Sequence, residues 1–399
     1  MRTRSVSAWG VTATASWTSE NGSKGWATCR FASPNMPAPL DDYPSSPPFG
    51  KSERIMTDVP FVLIGYGFGG RYFHAPLLAT ADGCNFLGVV TTSQERRGMV
   101  TSDYPGLRTF DTLEQAVDAG AEAVTISTPA PTHSELTDDA LGLGLHVVCD
   151  KPFALNANAV ARSIELAESA GRLLSPYQNR RWDSDFLTAR QLIESGRLGA
   201  ITLFESRFER FAPERGPGPS GGGTLLDFCS HLVDQVLTLF GSVRTVYAEW
   251  RIRETGLDDD VFIALVHDHG VRSHLLGSWS QGAPGFRFRV SGTHGAYVVD
   301  GPMDGQEQAL IGGQSPATLG DKWGIEPESR WGSIRWGDDA VEIVPSLPGA
   351  WHTFYPAFAA AIRGERSVPV PAADALRTAI VLDAARQSAS TGELVTLAP

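Results

Sequence analysis

The sequence predicts an α/β protein in two parts: a doubly wound parallel sheet, then an α+β part whose large open sheet is mostly antiparallel. Three observations carry this. From Val59 short β-rich runs alternate with helical stretches. A glycine-rich turn, Gly65-Tyr66-Gly67-Phe68-Gly69-Gly70, stands between the first apolar run and the first helix. Later in the chain several β-rich runs follow one another with no helix between them, the pattern of an antiparallel sheet.

Taken in order, residues 1–57 show neither helical nor strand periodicity, and Pro34 to Pro48 is a Pro/Ser-rich stretch that buries no core. The segment reads as disordered, or as a misassigned extension with Met56 the true initiator, since Met56 stands just before the first strand. Strands are expected at 61–64, 86–90, 123–127 and 146–149, with a helix from the glycine turn to Ala81. Thr132 is placed to cap a helix through Leu143 that Gly144 stops, and Asn156 to start one running to Ala170. This βαβ series assigns 58–175 to dinucleotide binding. Helices at 183–195 and 224–240, strands at 201–208, 246–252, 261–267, 273–279 and 286–291, and a closing helix at 373–390 make 176–399 an α+β part, to which the resemblance given below assigns substrate binding and oligomerisation.

A chain of 399 residues suits two domains. Its 33 Lys plus Arg against 45 Asp plus Glu give a net charge of −12, which argues against nucleic acid or an anionic membrane and for a small ligand. The longest apolar runs fall well short of the roughly 20 residues that span a bilayer. Cys29, Cys84, Cys149 and Cys229 lie far apart, so neither a disulfide framework nor a zinc site is expected, and a reducing cytoplasm fits best. The basic start lacks the apolar stretch of a secretory signal. His267 and His269 have no third ligand beside them, so no metal is expected.

In the glycine turn, Gly65 permits the tight bend, Gly67 lets a pyrophosphate approach the backbone, and Gly70 lets the helix pack on the strand. The helix N-terminus then faces the phosphate charge. Phe68 and Gly69 complete this cofactor-binding set. An NAD site usually carries an acid at the end of the second strand to hold the ribose hydroxyls. Here the chain reads Val89-Val90-Thr91-Thr92-Ser93-Gln94-Glu95-Arg96-Arg97. The hydroxyls of Thr91 and Ser93 with the guanidiniums of Arg96 and Arg97, Arg96 foremost, suit a 2′-phosphate, favouring NADP and leaving NAD possible.

Two further groups carry chemistry. Lys151, in Asp150-Lys151-Pro152, follows a strand at the edge where open α/β sheets bind ligands. In Gly221-Gly222-Gly223-Thr224 and onwards, Asp227, His231 and Asp234 stand at i, i+4 and i+7, one face of an expected helix. There the imidazole would exchange a proton with a substrate hydroxyl while a carboxylate one turn away orients it.

Together the glycine turn, the acid-Lys-Pro tripeptide and the Asp-x-x-x-His helix resemble the Gfo/Idh/MocA oxidoreductases. The resemblance runs from about Val59 to the C-terminus and includes Ser127-Thr128-Pro129 with His133, and Phe354-Tyr355 through Ala361-Ile362-Arg363-Gly364 to Asp374-Ala375-Leu376-Arg377. Phe73-His74-Ala75-Pro76, Gln178-Asn179-Arg180-Arg181-Trp182-Asp183 and Arg289-Val290-Ser291-Gly292-Thr293-His294-Gly295 look most like its NADP-dependent scyllo-inositol dehydrogenase branch.

The resemblance implies that Lys151 is the catalytic lysine, Asp227 the conserved aspartate and His231 the acid/base. It places Thr128, Pro129 and His133 near the cofactor, and implies a homo-oligomer, dimer or tetramer, built through the second sheet. Asp150 departs from the usual glutamate, and Cys229 stands where glycine is common. The activity implied is hydride transfer between nicotinamide and a secondary alcohol of a polyol, inositol or sugar. The alternatives are a nucleotide sensor without turnover, and a same-fold reductase of an aldose, dihydrodiol or imine.

Overall fold

The computed structural model describes residues 58–301, 305–337 and 339–398. The reading of 1–57 as disordered or misassigned lies outside the described residues, as does Cys29.

The first six strands are β1 (Val59–Ile64), β2 (Cys84–Val90), β3 (Arg108–Phe110), β4 (Ala123–Ile126), β5 (His146–Cys149) and β6 (Leu174–Pro176). They pair in parallel in the order β3-β2-β1-β4-β5-β6. Every residue of β4 is buried, as expected of a strand covered on both faces. Local signals set some helix ends: Ser93 accepts the Arg96 amide to open helix Gln94–Asp103, and Asn156 accepts the Ala159 amide to open Ala157–Ala170. Gly171, at φ +63°, stops the latter. Thr132 is a correction. Helix His133–Gly142 starts beside it, but no side-chain cap forms, because its hydroxyl bonds the Pro129 carbonyl and the Thr128 hydroxyl instead.

The strand order reverses between β1 and β4, which opens a crevice at their carboxyl ends. The glycine turn after β1, Ser127-Thr128 after β4 and Asp150-Lys151 after β5 all fall at that edge.

The second sheet comprises β7 (Ile201–Glu209), β8 (Val243–Ile252), β9 (Asp258–His267), β10 (Arg272–Ser278), β11 (Phe288–Gly292), β12 (Gly295–Val299), β13 (Gly332–Trp336), β14 (Val341–Val344) and β15 (Val395–Thr396). Their order is β14-β13-β12-β11-β7-β10-β9-β8-β15, and only β7 and β10 run parallel among the described residues. The expected runs appear as β7 to β11. β12 to β15 were not legible: they have two to five residues each, too few for a period of two to stand out.

One face of this sheet buries Phe204, Ile263, Leu275 and Phe288 against Leu232 and Val236 of helix Cys229–Phe240. On the other face Phe262 pairs with Leu276 and remains half-buried beside Ala264 and Val266. The expected helix over 224–240 is interrupted. Thr224–Asp227 and Cys229–Phe240 meet at Phe228, whose ring stacks 4.0 Å from Phe208 and 5.0 Å from Trp279.

The chain then returns to the first sheet. Helix Phe354–Ile362 buries Tyr355 and Phe358 against Phe61, while Ala375 and Ala379 of helix Ala372–Thr391 join the core behind β5. No helix among the described residues is long and apolar enough to cross a membrane.

Candidate active site

The glycine turn is tight where the sequence requires glycine. Gly65 has φ +92°, and a Cβ there would lie 2.3 Å from the Ser127 carbonyl oxygen; one at Gly70 would lie 2.0 Å from the Gly65 carbonyl. At Gly67 a Cβ would meet nothing within 4 Å. That open position is where a pyrophosphate needs close access to backbone amides, so the turn fits a dinucleotide. Asp103 anchors it from helix Gln94–Asp103, accepting from Tyr66 at 2.9 Å and from Arg71 at 2.7 and 2.9 Å. Phe68 is largely exposed, and Gly69 faces the Ser127 hydroxyl and Asp150 carboxylate.

At the end of β2, the Thr91 hydroxyl accepts the Ser93 amide and the Ser93 hydroxyl accepts the Arg96 amide. The two arginines differ. Arg97 is engaged with Thr109 at 2.8 Å and with Asp111, whereas Arg96 is exposed with no side-chain partner among the described residues. Arg96 thus stays available for a 2′-phosphate.

His133 is 1% exposed and faces the polypeptide rather than the open crevice. Its Nδ1 lies 2.8 Å from the Pro152 carbonyl and its Nε2 2.8 Å from the Thr128 carbonyl. Carbonyls only accept, so both ring nitrogens donate and the ring is an imidazolium. Burial opposes that charge, but Cys149, the Asp150 carboxylate and the Pro152 carbonyl favour it, raising the pKa to about 9. The ring ties the loop after β4, with Thr128 and Pro129, to the loop after β5 that carries Lys151.

Asp150 organises a second network that sequence reasoning missed. It accepts the Lys151 amide at 2.8 Å and the Ser127 hydroxyl at 3.0 Å, and meets His74 Nε2 at 3.2 Å. The other nitrogen of the wholly buried His74 meets the Tyr355 hydroxyl at 2.6 Å. Burial alone would raise the Asp150 pKa; His74, Lys151 and His133 reverse this and hold it well below the usual carboxylate range. The signal lies in Phe73-His74-Ala75-Pro76, a stretch that also carries the resemblance to the inositol dehydrogenase branch.

Lys151 reaches across the crevice. Its Nζ donates to Asp227 Oδ1 at 2.6 Å and to the Asp227 backbone carbonyl at 3.2 Å. His231, one turn on, is 3% exposed. Burial, aided by the positive charges of Lys151, Arg180 and Arg287, holds its pKa well below the usual imidazole range, so the ring is neutral.

The expected orientation of His231 by a carboxylate is corrected: among the described residues its buried Nδ1 has no hydrogen-bond partner, and Asp227 is bonded to Lys151 instead. Asp234 also departs from the expected trio. It pairs with Arg181 at 2.6 and 2.7 Å, and Arg181 pairs with Asp374 at 2.9 Å, binding helix Cys229–Phe240 to helix Ala372–Thr391.

Beside these groups a cavity of about 300 Å³ opens between the turn and the second sheet, lined by Phe68, Phe208, Arg210, Arg287, Glu307 and Gln308 among others. The Phe208 ring centroid lies 6.3 Å from that of His231, so the cavity wall continues into the site. A neutral imidazole, a lysine fixed by a carboxylate and an adjoining polar cavity together can take a proton from a bound hydroxyl and stabilise the oxygen it leaves.

Comparison with known proteins gives the same outline. Residues 59–178 match the model described as oxidoreductase family, NAD-binding Rossmann fold, and residues 186–298 the GFO/IDH/MocA C-terminal domain. The scyllo-inositol 2-dehydrogenase (NADP(+)) IolW of Bacillus subtilis is 32% identical over 357 residues, covering 87% of this chain and 98% of that protein. The oxidoreductase YdgJ of Escherichia coli is 34% identical over 335 residues, 82% of this chain and 95% of its own. Among solved structures, that of yvaA from Bacillus subtilis superposes with a TM-score of 0.81 at 30% identity, covering 87% of this chain and 100% of that one.

Proposed function

The chain belongs to the Gfo/Idh/MocA family of NAD(P)-dependent oxidoreductases, and from that premise we propose that it transfers a hydride between NADP and a secondary alcohol of a polyol, inositol or sugar. The observation that carries this reading is the Lys151–Asp227 bond, 2.6 Å long, which brings the lysine after β5 to the helix that holds His231.

In the oxidative direction His231, buried as the neutral imidazole, takes the hydroxyl proton. Lys151 donates to the oxygen and stabilises the negative charge left on it by proton loss, before hydride departure turns it into a carbonyl. Asp227 acts on Lys151, holding its ammonium in place. A nicotinamide coenzyme held by the glycine turn would supply the hydride acceptor that the oxidation requires. Gly65, Gly67, Phe68, Gly69 and Gly70 would hold the pyrophosphate side, Thr91, Ser93 and Arg96 the 2′-phosphate, and Thr128 and Pro129 would form the inner wall, with His133 supporting that wall from below.

The same proposal divides the chain into 58–175 for the nucleotide and 176–399 for the substrate and for self-association. The sheet face carrying Phe262, Ala264, Val266 and Leu276 supports a homo-oligomer, because a second copy would cover apolar side chains that are half-open to solvent. The composition supports a cytoplasmic setting. The test is a panel of inositols, aldoses and simple alcohols assayed by the absorbance of reduced nicotinamide, with NADP and NAD separately. Oxidation of polyols with NADP preferred is expected; no turnover of any polyol with either coenzyme overturns the proposal.

A further inference from the structure

Lys151 is held at both ends. Its ammonium bonds Asp227, and its backbone amide donates to Asp150 Oδ1 at 2.8 Å. During turnover the ammonium is shared between Asp227 and the substrate oxygen, so the backbone end is the part that stays fixed. Asp150 in turn depends on what holds its other oxygen. Oδ2 accepts from the Ser127 hydroxyl at 3.0 Å and meets His74 Nε2 at 3.2 Å. It also lies against the glycine turn, where a Cβ at Gly69 would stand 3.2 Å from it.

The terminal torsion of an aspartate is broad and nearly two-fold, so distinct partners on its two oxygens are what fix it. His74 is the rigid partner. It is wholly buried, its ring lies 4.4 Å from that of Tyr177, and its Nδ1 meets the Tyr355 hydroxyl at 2.6 Å. Thr125 Oγ1 stands 3.3 Å from that hydroxyl. A carboxylate only accepts, so Nε2 donates to Asp150 in either charge state of the ring, and a hydroxyl on Nδ1 can serve both states. The contact ties the helical segment after the glycine turn to the residue that precedes Lys151.

Resting on the function proposed above, we propose that His74 is a positioning residue for the reaction: through Asp150 it sets the backbone of Lys151, and thereby where the ammonium meets the substrate oxygen. Wholly buried, it acts without touching the substrate. Tyr355 and Tyr177 keep its ring in place, and its loss is felt in the rate more than in coenzyme affinity.

His74→Asn and His74→Gln introduce the same amide at different reach. The shorter arm brings it near the place of Nδ1, where it keeps Tyr355 and loses Asp150; the longer arm brings it near the place of Nε2, where it still donates to Asp150. In the full chain with NADP and an inositol, His74→Asn should lower kcat about tenfold or more with KM for NADP changed less than about threefold, and His74→Gln should recover most of kcat. In the Lys151→Ala background His74→Asn should cost less than about threefold further, because the lysine through which it acts is gone. Equal losses in both backgrounds, or no difference between the two amides, overturn the proposal.

A second readout needs no turnover. The chain has four lysines, Lys24, Lys51, Lys151 and Lys322, so nitrogen NMR of lysine-labelled protein gives a simple spectrum in which the Lys151 amide is the one missing from Lys151→Ala. In the coenzyme-free protein that amide should shift in His74→Asn and in Asp150→Asn, and stay near its parent position in His74→Gln. If no polyol is turned over, the function proposed above fails on its own and this spectrum decides the role of His74: an unmoved Lys151 amide in folded His74→Asn overturns it. Should His74→Asn fail to fold, Tyr355→Phe, which takes the hydroxyl from Nδ1, should move the same amide in the same direction to a lesser degree, and an unmoved amide there overturns it.

Discussion

Lys151 and Asp227 meet across the molecule, Nζ to Oδ1 at 2.6 Å, although 76 residues separate them in the chain. The lysine comes from the end of a parallel strand and the aspartate from the last residue of a short helix before an interruption. Among the described residues the buried Nδ1 of His231 has no partner, so the two sides of the site have different electrostatics. The lysine is charge-paired, and the imidazole is neutral beside several cations.

Lys151→Ala should lower kcat by about 10²- to 10⁴-fold, the usual range for losing a positioned proton donor, with NADP affinity changed far less. Asp227→Asn keeps an acceptor for Nζ and should fall short of that loss. Steady-state kinetics beside coenzyme titration separate the two effects. Equal turnover in parent and Lys151→Ala would remove the lysine from the mechanism.

His231 has a folded pKa below its unfolded value, so the folded state binds fewer protons than the unfolded one on acidification. Its stabilising contribution is complete above about pH 6.5, the unfolded value, and is progressively lost as pH falls below that. Urea midpoints measured from pH 8 to pH 5 should drop less steeply in His231→Gln than in the parent, and parallel curves would contradict the neutral imidazole.

His133 carries the opposite sign. With its folded pKa raised to about 9, its contribution is full below the unfolded value near 6.5 and is lost as pH rises through about 9. His133→Gln should flatten the fall of stability over that alkaline window. His133→Ala, which leaves the buried Thr128 and Pro152 carbonyls without their donor, should cost about 2 to 4 kcal/mol at neutral pH. Nitrogen NMR of the labelled ring, showing both nitrogens protonated near neutrality, is the direct check.

Arg96→Ala should raise KM for NADP by about tenfold or more and leave KM for NAD nearly unchanged, since only NADP carries the 2′-phosphate. Arg97→Ala should affect stability before coenzyme choice, because Arg97 is bonded to Thr109 and Asp111. A parallel rise in both KM values in Arg96→Ala would place the phosphate elsewhere.

The glycines of the turn should separate folding from binding. Gly67→Ala, whose Cβ enters open space, should keep the parent thermal midpoint within a few degrees while weakening NADP binding about tenfold or more. Gly65→Ala, strained at φ +92° and 2.3 Å from the Ser127 carbonyl, should lose more than about 2 kcal/mol of stability. Thermal melts and coenzyme titrations on the same preparations read both.

The sequence by itself determined the parallel sheet, the glycine turn, the hydroxyl-rich end of β2 and the residue types of the site, because each is written in a local pattern. Strand periodicity, the spacing of glycines and the residue following a strand are all set within a few positions of the chain. It did not reveal β3, β6 or β12 to β15, which are too short to show a period, nor which partner each charged group would take. Lys151 and Asp227, His74 and Asp150, Asp234 and Arg181, and Arg210 and Glu307 are paired across 53 to 97 residues. A helical repeat gave Asp227 to His231 as neighbours. The fold gave Asp227 to Lys151 instead, because an ammonium arriving from β5 offers that carboxylate a charge-assisted bond that a neutral buried imidazole cannot match.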